Sequence, residues 1–248
     1  MPTYAIGDIH GNLDELNNLL ELVLPRLKPQ DTLVFLGDYI DRGPDSKGCI
    51  ERIVQLKARA HCTVVTLLGN HEQWMLRTLD NPTRNSWLLA MEGLETIWSY
   101  SEGAAKEITN AMETLGPRML IDHSPLPYQA FFDAIPNEHI RFFRELQPYH
   151  ESPDVICVHG GMSLDGVLDP SDVNLHVWGP IGFPEDYQGT RPVVYGHRHD
   201  AILCPDGSVR PNIGTNRTYG IDAIGHGVLM AMRFPDETVL LSTDSEDP

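Results

Sequence analysis

The chain has no apolar run approaching the roughly 18 residues that a membrane span demands, so no membrane partner is expected. It opens Met-Pro-Thr-Tyr-Ala-Ile-Gly-Asp, with no basic segment ahead of an apolar one, which argues against a secretory leader. Cysteine is scarce: Cys49, Cys62, Cys157 and Cys204 are scattered, and none forms a Cys-x-x-Cys pair. That excludes a zinc site built on close thiolate pairs, and it predicts reduced thiols in a cytoplasmic protein. Basic residues are few, 18 Lys and Arg against 35 Asp and Glu, for a formal charge of −17. A general nucleic-acid binder draws its affinity from Lys and Arg on phosphates, so that class is excluded. Part of the acidity is expected where carboxylates hold metal ions, and the rest is spread over the surface. No internal repeat, low-complexity tract or interdomain linker interrupts the chain.

The 248 residues suffice for a single domain, 1–248, with a sizeable insertion and a core that needs no disulfide. Thr3 to Ile6 reads as a strand ending in Gly-Asp. Leu13, Leu16, Leu19, Leu20, Val23 and Leu24 then recur at helical spacing until Pro25 and Pro29. A second strand, Thr32 to Leu36, again ends in Gly-Asp, and a helix from about Ser46 to Ala60 follows. The third strand, Cys62 to Leu68, runs into Gly-Asn-His-Glu. Three strand–loop–helix units in a row predict a mainly parallel sheet covered by helices. From about 74 to 150 the pattern is helical and rich in aromatics, which predicts a cap-like insertion beside the sheet. Strand texture returns at Val155–Val158, Pro192–Tyr195, Val209–Ile213, Val228–Phe234 and Thr238–Leu241, and the strands after 190 read as antiparallel. The expected fold is α/β, with two packed mixed β-sheets flanked by helices.

Five motifs stand at the ends of these strands: Gly7-Asp8-Ile9-His10-Gly11, Gly37-Asp38-Tyr39-Ile40-Asp41-Arg42-Gly43, Gly69-Asn70-His71-Glu72, His159-Gly160-Gly161 and Gly196-His197-Arg198-His199. In an open α/β sheet, ligands bind just beyond the carboxyl ends of the strands. Singly, each motif reads as a turn or a helix cap; together and in order they read as a site. Their oxygen and nitrogen donors, without thiolate, suit divalent ions, manganese first, with iron or zinc as alternatives. Asp8 and His10 can point at one ion, Asp38 has two oxygens with which to bridge two ions, and Asn70, His159 and His197 would complete the second. A metal pair clamps a phosphoryl group and lowers the pKa of a bridging water for in-line attack.

These motifs are similar to those of the phosphoprotein phosphatase family of calcineurin-like metallophosphoesterases, and of its bacterial branch in particular, almost residue for residue over 37–46. The resemblance spans residues 7–199 and fades across 74–150. It implies a four-layer sandwich and a metal-dependent phosphoric ester hydrolase. Asp8, His10 and the bridging Asp38 would hold the first metal, and Asn70, His159 and His197 the second. His71 would be the general acid, oriented by Asp41, while Arg42 and Asn70 would bind the substrate phosphate. A His paired with a carboxylate is also what protonation of an alkoxide requires on chemical grounds.

Two departures stand out. The family's second phosphate-gripping Arg, just after a Trp, is missing from His176-Val177-Trp178-Gly179-Pro180, leaving Arg191 and Arg198 as candidates to replace it. His199 resembles instead the last residue of the Gly-His-x-His motif of the wider superfamily, which implies ligation of the first metal. His61, His123, His139, His150, His176 and His226 match no motif and read as structural or exposed. The leading function is hydrolysis of phosphomonoesters, with phosphoserine or phosphothreonine in proteins, phosphotyrosine or a small phosphate ester as substrate. The alternative is a hydrolase of diadenosine tetraphosphate or nucleotide-capped ends, for which Trp74, Trp87 and Trp98 could stack on a base. The resemblance implies that Asp41 belongs to the phosphatases rather than to that group. A non-catalytic metal scaffold would need neither His71 nor Asp41.

Overall fold

Thr3, Tyr4, Ala5 and Ile6 are all buried, as a strand covered on both faces must be. They form β1, and the computed structural model describes residues 1–118, 122 and 124–244 of the chain. The first helix, α1 (Leu13–Val23), buries Leu16, Leu19, Leu20 and Val23, and stops in a tight turn containing Pro25. β2 (Thr32–Phe35) follows, then α2 (Ser46–Arg59), whose cap Asp45 accepts the backbone N–H of Gly48 at 2.7 Å. β3 (Thr63–Thr66) leads straight into α3 (Asn70–Asp80). The helical stretch continues as α4 (Ser86–Ala90), α5 (Gly93–Tyr100), α6 (Glu102–Leu115), α7 (Gln129–Ala134) and α8 (Asn137–Arg144).

The second half supplies β4 (Tyr149–Glu151), β5 (Ile156–Val158), α9 (Val173–Trp178), β6 (Val193–Tyr195), β7 (Ile202–Leu203), β8 (Val209–Arg210), β9 (Asn212–Ile213), β10 (Thr218–Gly220), β11 (Met230–Phe234) and β12 (Thr238–Leu241). Two five-stranded mixed sheets result, ordered β12-β11-β1-β2-β3 and β4-β5-β6-β10-β9. β1, β2 and β3 are parallel, whereas β11 returns antiparallel against β1 with Thr3 opposite Phe234.

Period-two alternation explains the layering. Ala5, Val34, Leu36 and Val65 meet Cys157, Val194 and Tyr219 between the sheets, joined by Met230, Met232 and Phe234. From the other face of the first sheet, Tyr4, Ile6, Leu33 and Phe35 share one apolar cluster with Leu16 and Ile53 and with Trp87, Ile97, Tyr100, Phe131 and Phe142. The outer face of the second sheet, with Ile156, Val158 and Tyr195, lies under Met162, Phe183 and Tyr187, which are loop residues.

Two expectations need correction. Val209–Ile213 is not one strand: it breaks at Pro211 into β8, paired with β7, and β9, paired with β10. Proline has no N–H to continue a ladder, so the chain changes sheets there. Nor are the late strands uniformly antiparallel, since β10 runs parallel to β6. β4, β7 and β10 have only two or three residues each, too few for a period to emerge from the sequence. All four cysteines are free. Among the described residues no helix is long and apolar enough to cross a membrane.

Candidate active site

The loops leaving β1, β2, β3, β5, β6 and β10 converge, and strain marks the place. His10, Asp38, Asp41, Arg42, His197 and His199 have φ between 45° and 70°, and they are six of the nine non-glycine residues with positive φ among those described. Each such residue costs about 1–3 kcal/mol and persists only where its surroundings overdetermine it. Buried side chains supply that constraint. Glu72 accepts the N–H of Asp38, Ser46 and Thr96 accept that of Asp41, Asp8 accepts that of His197, and Asp222 accepts that of His199. Gly69 and Gly196 permit the close approach: a Cβ would fall 2.1 Å from Asp38 Oδ1 at Gly69, and 2.0 Å from Asp8 Oδ1 at Gly196.

The donor atoms form two sets that share Asp38. On one side, Asp38 Oδ2 lies 3.6 Å from His10 Nε2 and 3.8 Å from His71 Nε2. The Arg42 guanidinium sits here, with Nη1 3.1 Å from His10 Nε2 and 2.6 Å from His199 Nε2. A cation thus already stands among these ring nitrogens. On the other side, Asp38 Oδ1 lies 3.3 Å from His159 Nε2, and Asn70 Oδ1 is 2.9 Å from both His159 Nε2 and His197 Nδ1. Either a turned Asn70 amide or a shared cation relieves that crowding. Asp8 Oδ1 is buried with no partner, an orphan acceptor of the kind a metal ion satisfies.

The imidazoles are poised to ligate. Nδ1 of His10 faces the carbonyl of Ile40 at 2.9 Å, Nδ1 of His159 faces that of Leu36 at 3.0 Å, and Nδ1 of His199 faces Asp222 Oδ2 at 3.0 Å. Each leaves Nε2 free to accept, which is the usual outer-shell arrangement of metal-binding histidines. Burial, aided by the positive neighbours His71 and Arg42, lowers His10 to about 3 against the pull of Asp38. Burial likewise lowers His197 to about 4, with His159 and Arg198 adding to it. Neutral rings are what a metal requires. Burial alone would raise Asp38, but His159 and His71 outweigh it and hold its carboxyl well below the ordinary range. Asp8 is pushed up by burial, by Asp222 and by Asp38. This packed set of oxygen and nitrogen donors fits a pair of divalent cations.

Beside the shared carboxylate, His71 Nδ1 lies 2.8 Å from Asp41 Oδ2, and both side chains are buried. Burial would lower His71, but Asp38 and Asp41 raise it to about 8. Asp41 itself is raised by burial, against hydrogen bonds from His71, Thr96 and Trp87.

Every site residue singled out from the sequence comes to this one place. The arginine candidates separate: Arg191 is committed to Glu151 and the carbonyl of Ser152, on the second sheet. Arg198 lies over the Phe183 ring at 5.7 Å, its Nη2 2.8 Å from where a Gly179 Cβ would stand. Trp87 is buried and cannot present a face to a base, whereas Trp98 is 37% exposed. Trp74 packs on Trp178 at 5.6 Å, and Trp178 meets the ring of His197 edge-on at 5.7 Å. His139 and His176 are buried and bonded to Tyr100 and to the Asp169 carbonyl; His123 lies outside the described residues. Sequence reasoning gave no role to Asp222, Thr96 or Glu72. Glu72 closes the Gly-Asn-His-Glu motif, whereas Thr96 has no motif around it and Asp222 follows a strand of three residues, too short to read from the sequence.

Two mixed sheets thus carry a donor cluster shared through one carboxylate, next to a buried His–Asp pair. The chain belongs to the calcineurin-like phosphoesterase family, whose model matches residues 1–226. It is 35% identical over 83 residues to the zinc-dependent endopolyphosphatase of Saccharomyces cerevisiae, a match covering 34% of this chain and 24% of that protein. It is 43% identical over 79 residues to the symmetrical bis(5'-nucleosyl)-tetraphosphatase of Legionella pneumophila, covering 32% and 27%. The matched stretch is thus about a quarter of either relative's length. The solved structure of a cold-active protein tyrosine phosphatase superposes with a TM-score of 0.57 at 16% identity, over 98% of this chain and 80% of that one, a likeness of fold alone.

Proposed function

We propose that the chain is a phosphomonoesterase that removes phosphate from phosphoserine and phosphothreonine in proteins, and accepts phosphotyrosine or small phosphate esters. Asp8, His10, Asp38 and His199 hold the first cation in this reading; Asp38, Asn70, His159 and His197 hold the second, and manganese is the first candidate for both. When bound, such a pair draws charge off the phosphoryl group and activates water for in-line attack. Arg42 is exposed, so its guanidinium is free to turn from the ring nitrogens to the substrate and grip two phosphate oxygens through its planar fork. His71 Nε2 gives its proton to the leaving oxygen as the P–O bond breaks, while Asp41 accepts Nδ1–H and keeps the ring charged. The helices between 74 and 150 act as a cap beside the opening. A cytoplasmic setting agrees with four free cysteines.

The observation that carries this reading is the buried 2.8 Å contact between His71 and Asp41. An alkoxide leaves poorly without a proton, whereas a phosphoanhydride leaving group depends on one less. The Trp74–Trp178 pair beside His197 favours a second reading, hydrolysis of a dinucleoside polyphosphate, with the half-buried indoles as a base platform. The name of the Legionella pneumophila relative points the same way. The deciding experiment compares kcat/KM for a phosphothreonine peptide and for diadenosine tetraphosphate with manganese-loaded enzyme. Preference for the peptide, lost by roughly 100-fold in His71→Ala, supports the monoesterase. Preference for the dinucleotide, with little effect of that substitution, replaces it with the second reading.

A further inference from the structure

Asp41 does not meet His71 unaided. Its Oδ2, the oxygen that faces His71 Nδ1, also accepts the indole N–H of Trp87 at 2.8 Å. Its Oδ1 accepts the hydroxyl of Thr96 at 2.5 Å, and the same hydroxyl accepts the backbone N–H of Asp41 at 2.9 Å. Thr96 therefore clasps Asp41 at both ends, and Ser46 Oγ, 3.1 Å away, steadies the hydroxyl. Trp87 belongs to α4 and Thr96 to α5, more than 40 residues along the chain from Asp41.

The indole itself has nowhere else to go. Phe131 stacks on it at 5.7 Å with the ring planes 25° apart. Gly93 opens α5 against it, where an added Cβ would fall 2.6 Å from indole Cε2. Trp87, Thr96 and Asp41 are all buried, so the carboxylate is shielded from bulk solvent. A tryptophan that only filled the core would have no reason to aim its N–H at the carboxylate that meets His71 Nδ1. Indole N–H groups seek a partner when buried, but a backbone carbonyl serves equally well.

We propose that Trp87 and Thr96 are positioning residues for the general acid, so that the helices between 74 and 150 are part of the catalytic apparatus as well as its cover. The inference rests on His71 being that acid. Two fixed donors leave Asp41 one orientation, in which Oδ2 meets His71 Nδ1. Without them the carboxylate can rotate, and His71 loses the partner that aims Nε2 at the leaving oxygen.

The test uses the manganese-loaded enzyme and two aryl phosphates, phenyl phosphate with a poor leaving group and 2,4-dinitrophenyl phosphate with a good one. His71→Ala is the reference. Trp87→Phe keeps an aromatic ring and removes the N–H; Thr96→Val keeps the shape and removes the hydroxyl, and it serves if the first variant does not fold. Both should slow kcat for phenyl phosphate about 10-fold, while kcat for the dinitrophenyl ester changes less than about twofold and two ions stay bound. Equal losses on both esters, or no loss on either, would overturn the positioning role, since a general structural defect does not discriminate leaving groups. If His71→Ala itself shows no such discrimination, the assignment of the acid fails instead, and the two failures are told apart.

Discussion

Oε2 of Glu72 accepts the backbone N–H of Asp38 at 3.0 Å, although 34 residues separate the two in sequence. The same oxygen takes the N–H of Gly69, and Oε1 takes those of Tyr39 and Ile40 at 2.8 and 3.3 Å. One buried carboxylate thus ties the loop after β2 to the start of α3, fixing Asp38 relative to Asn70 and His71. Burial and the neighbouring Asp38 raise its acid dissociation to about 7, and His71, His159 and the N–H donors oppose that rise.

Glu72→Gln should therefore destabilise the protein while preserving its shape. The new NH2 group faces N–H donors it cannot satisfy, leaving two of them unpaired at about 1–3 kcal/mol each. Urea denaturation should report a loss of roughly 2–6 kcal/mol. A loss below about 1 kcal/mol would mean that the loops do not depend on this carboxylate.

Asp38→Ala removes the oxygens common to both donor sets, since Oδ2 serves His10 and Oδ1 serves His159. Calorimetric titration with manganese should then find fewer than two tight sites and no turnover. Two ions bound as tightly as in the parent chain would sink the bridging assignment.

His199 and Asp222 make a separate case. The ring faces Arg42 at Nε2 and is held at Nδ1 by a carboxylate that also takes its backbone N–H. Loss of a partner that orients a ligand costs roughly 10–100-fold in metal affinity, so Asp222→Asn should weaken the first site on that scale, and His199→Ala, which removes the ligand itself, by at least as much. If neither variant changes manganese affinity, His199 is a residue of the rim.

In the metal-free protein His71 titrates at about 8, above its ordinary 6.5. The folded state therefore binds this proton more tightly than the unfolded chain. The resulting stability, about 2 kcal/mol, is fully present below pH 6.5 and is lost as pH rises through about 8. Histidine NMR signals locate the titration, and Asp41→Asn should shift it downward. Unchanged titration in that variant would show that Asp38 and Glu72, without Asp41, raise His71.

Much was legible in the chain before any fold was known. Thr3–Ile6, Thr32–Phe35 and the helices at 13 and 46 declare themselves because apolar residues repeat with the period of the element that buries them. The candidate ligands could be read because each follows a strand, and a parallel sheet brings strand ends together whatever lies between. Trp87, Thr96 and Asp222 had no such signature. Their partners lie 46 and 55 residues away for Trp87 and Thr96, and for Asp222 on the loop carrying His199, so no spacing rule connects them. The parallel pairing of β10 with β6, and the switch of sheets at Pro211, were equally hidden, because strands of two or three residues carry no period of their own. The amino-acid sequence by itself determined the chemistry, since donor types and their order after strands define what can be bound. The tertiary structure alone decided which side chains hold those donors in place, because positioning contacts are made wherever packing happens to bring a partner within hydrogen-bond reach.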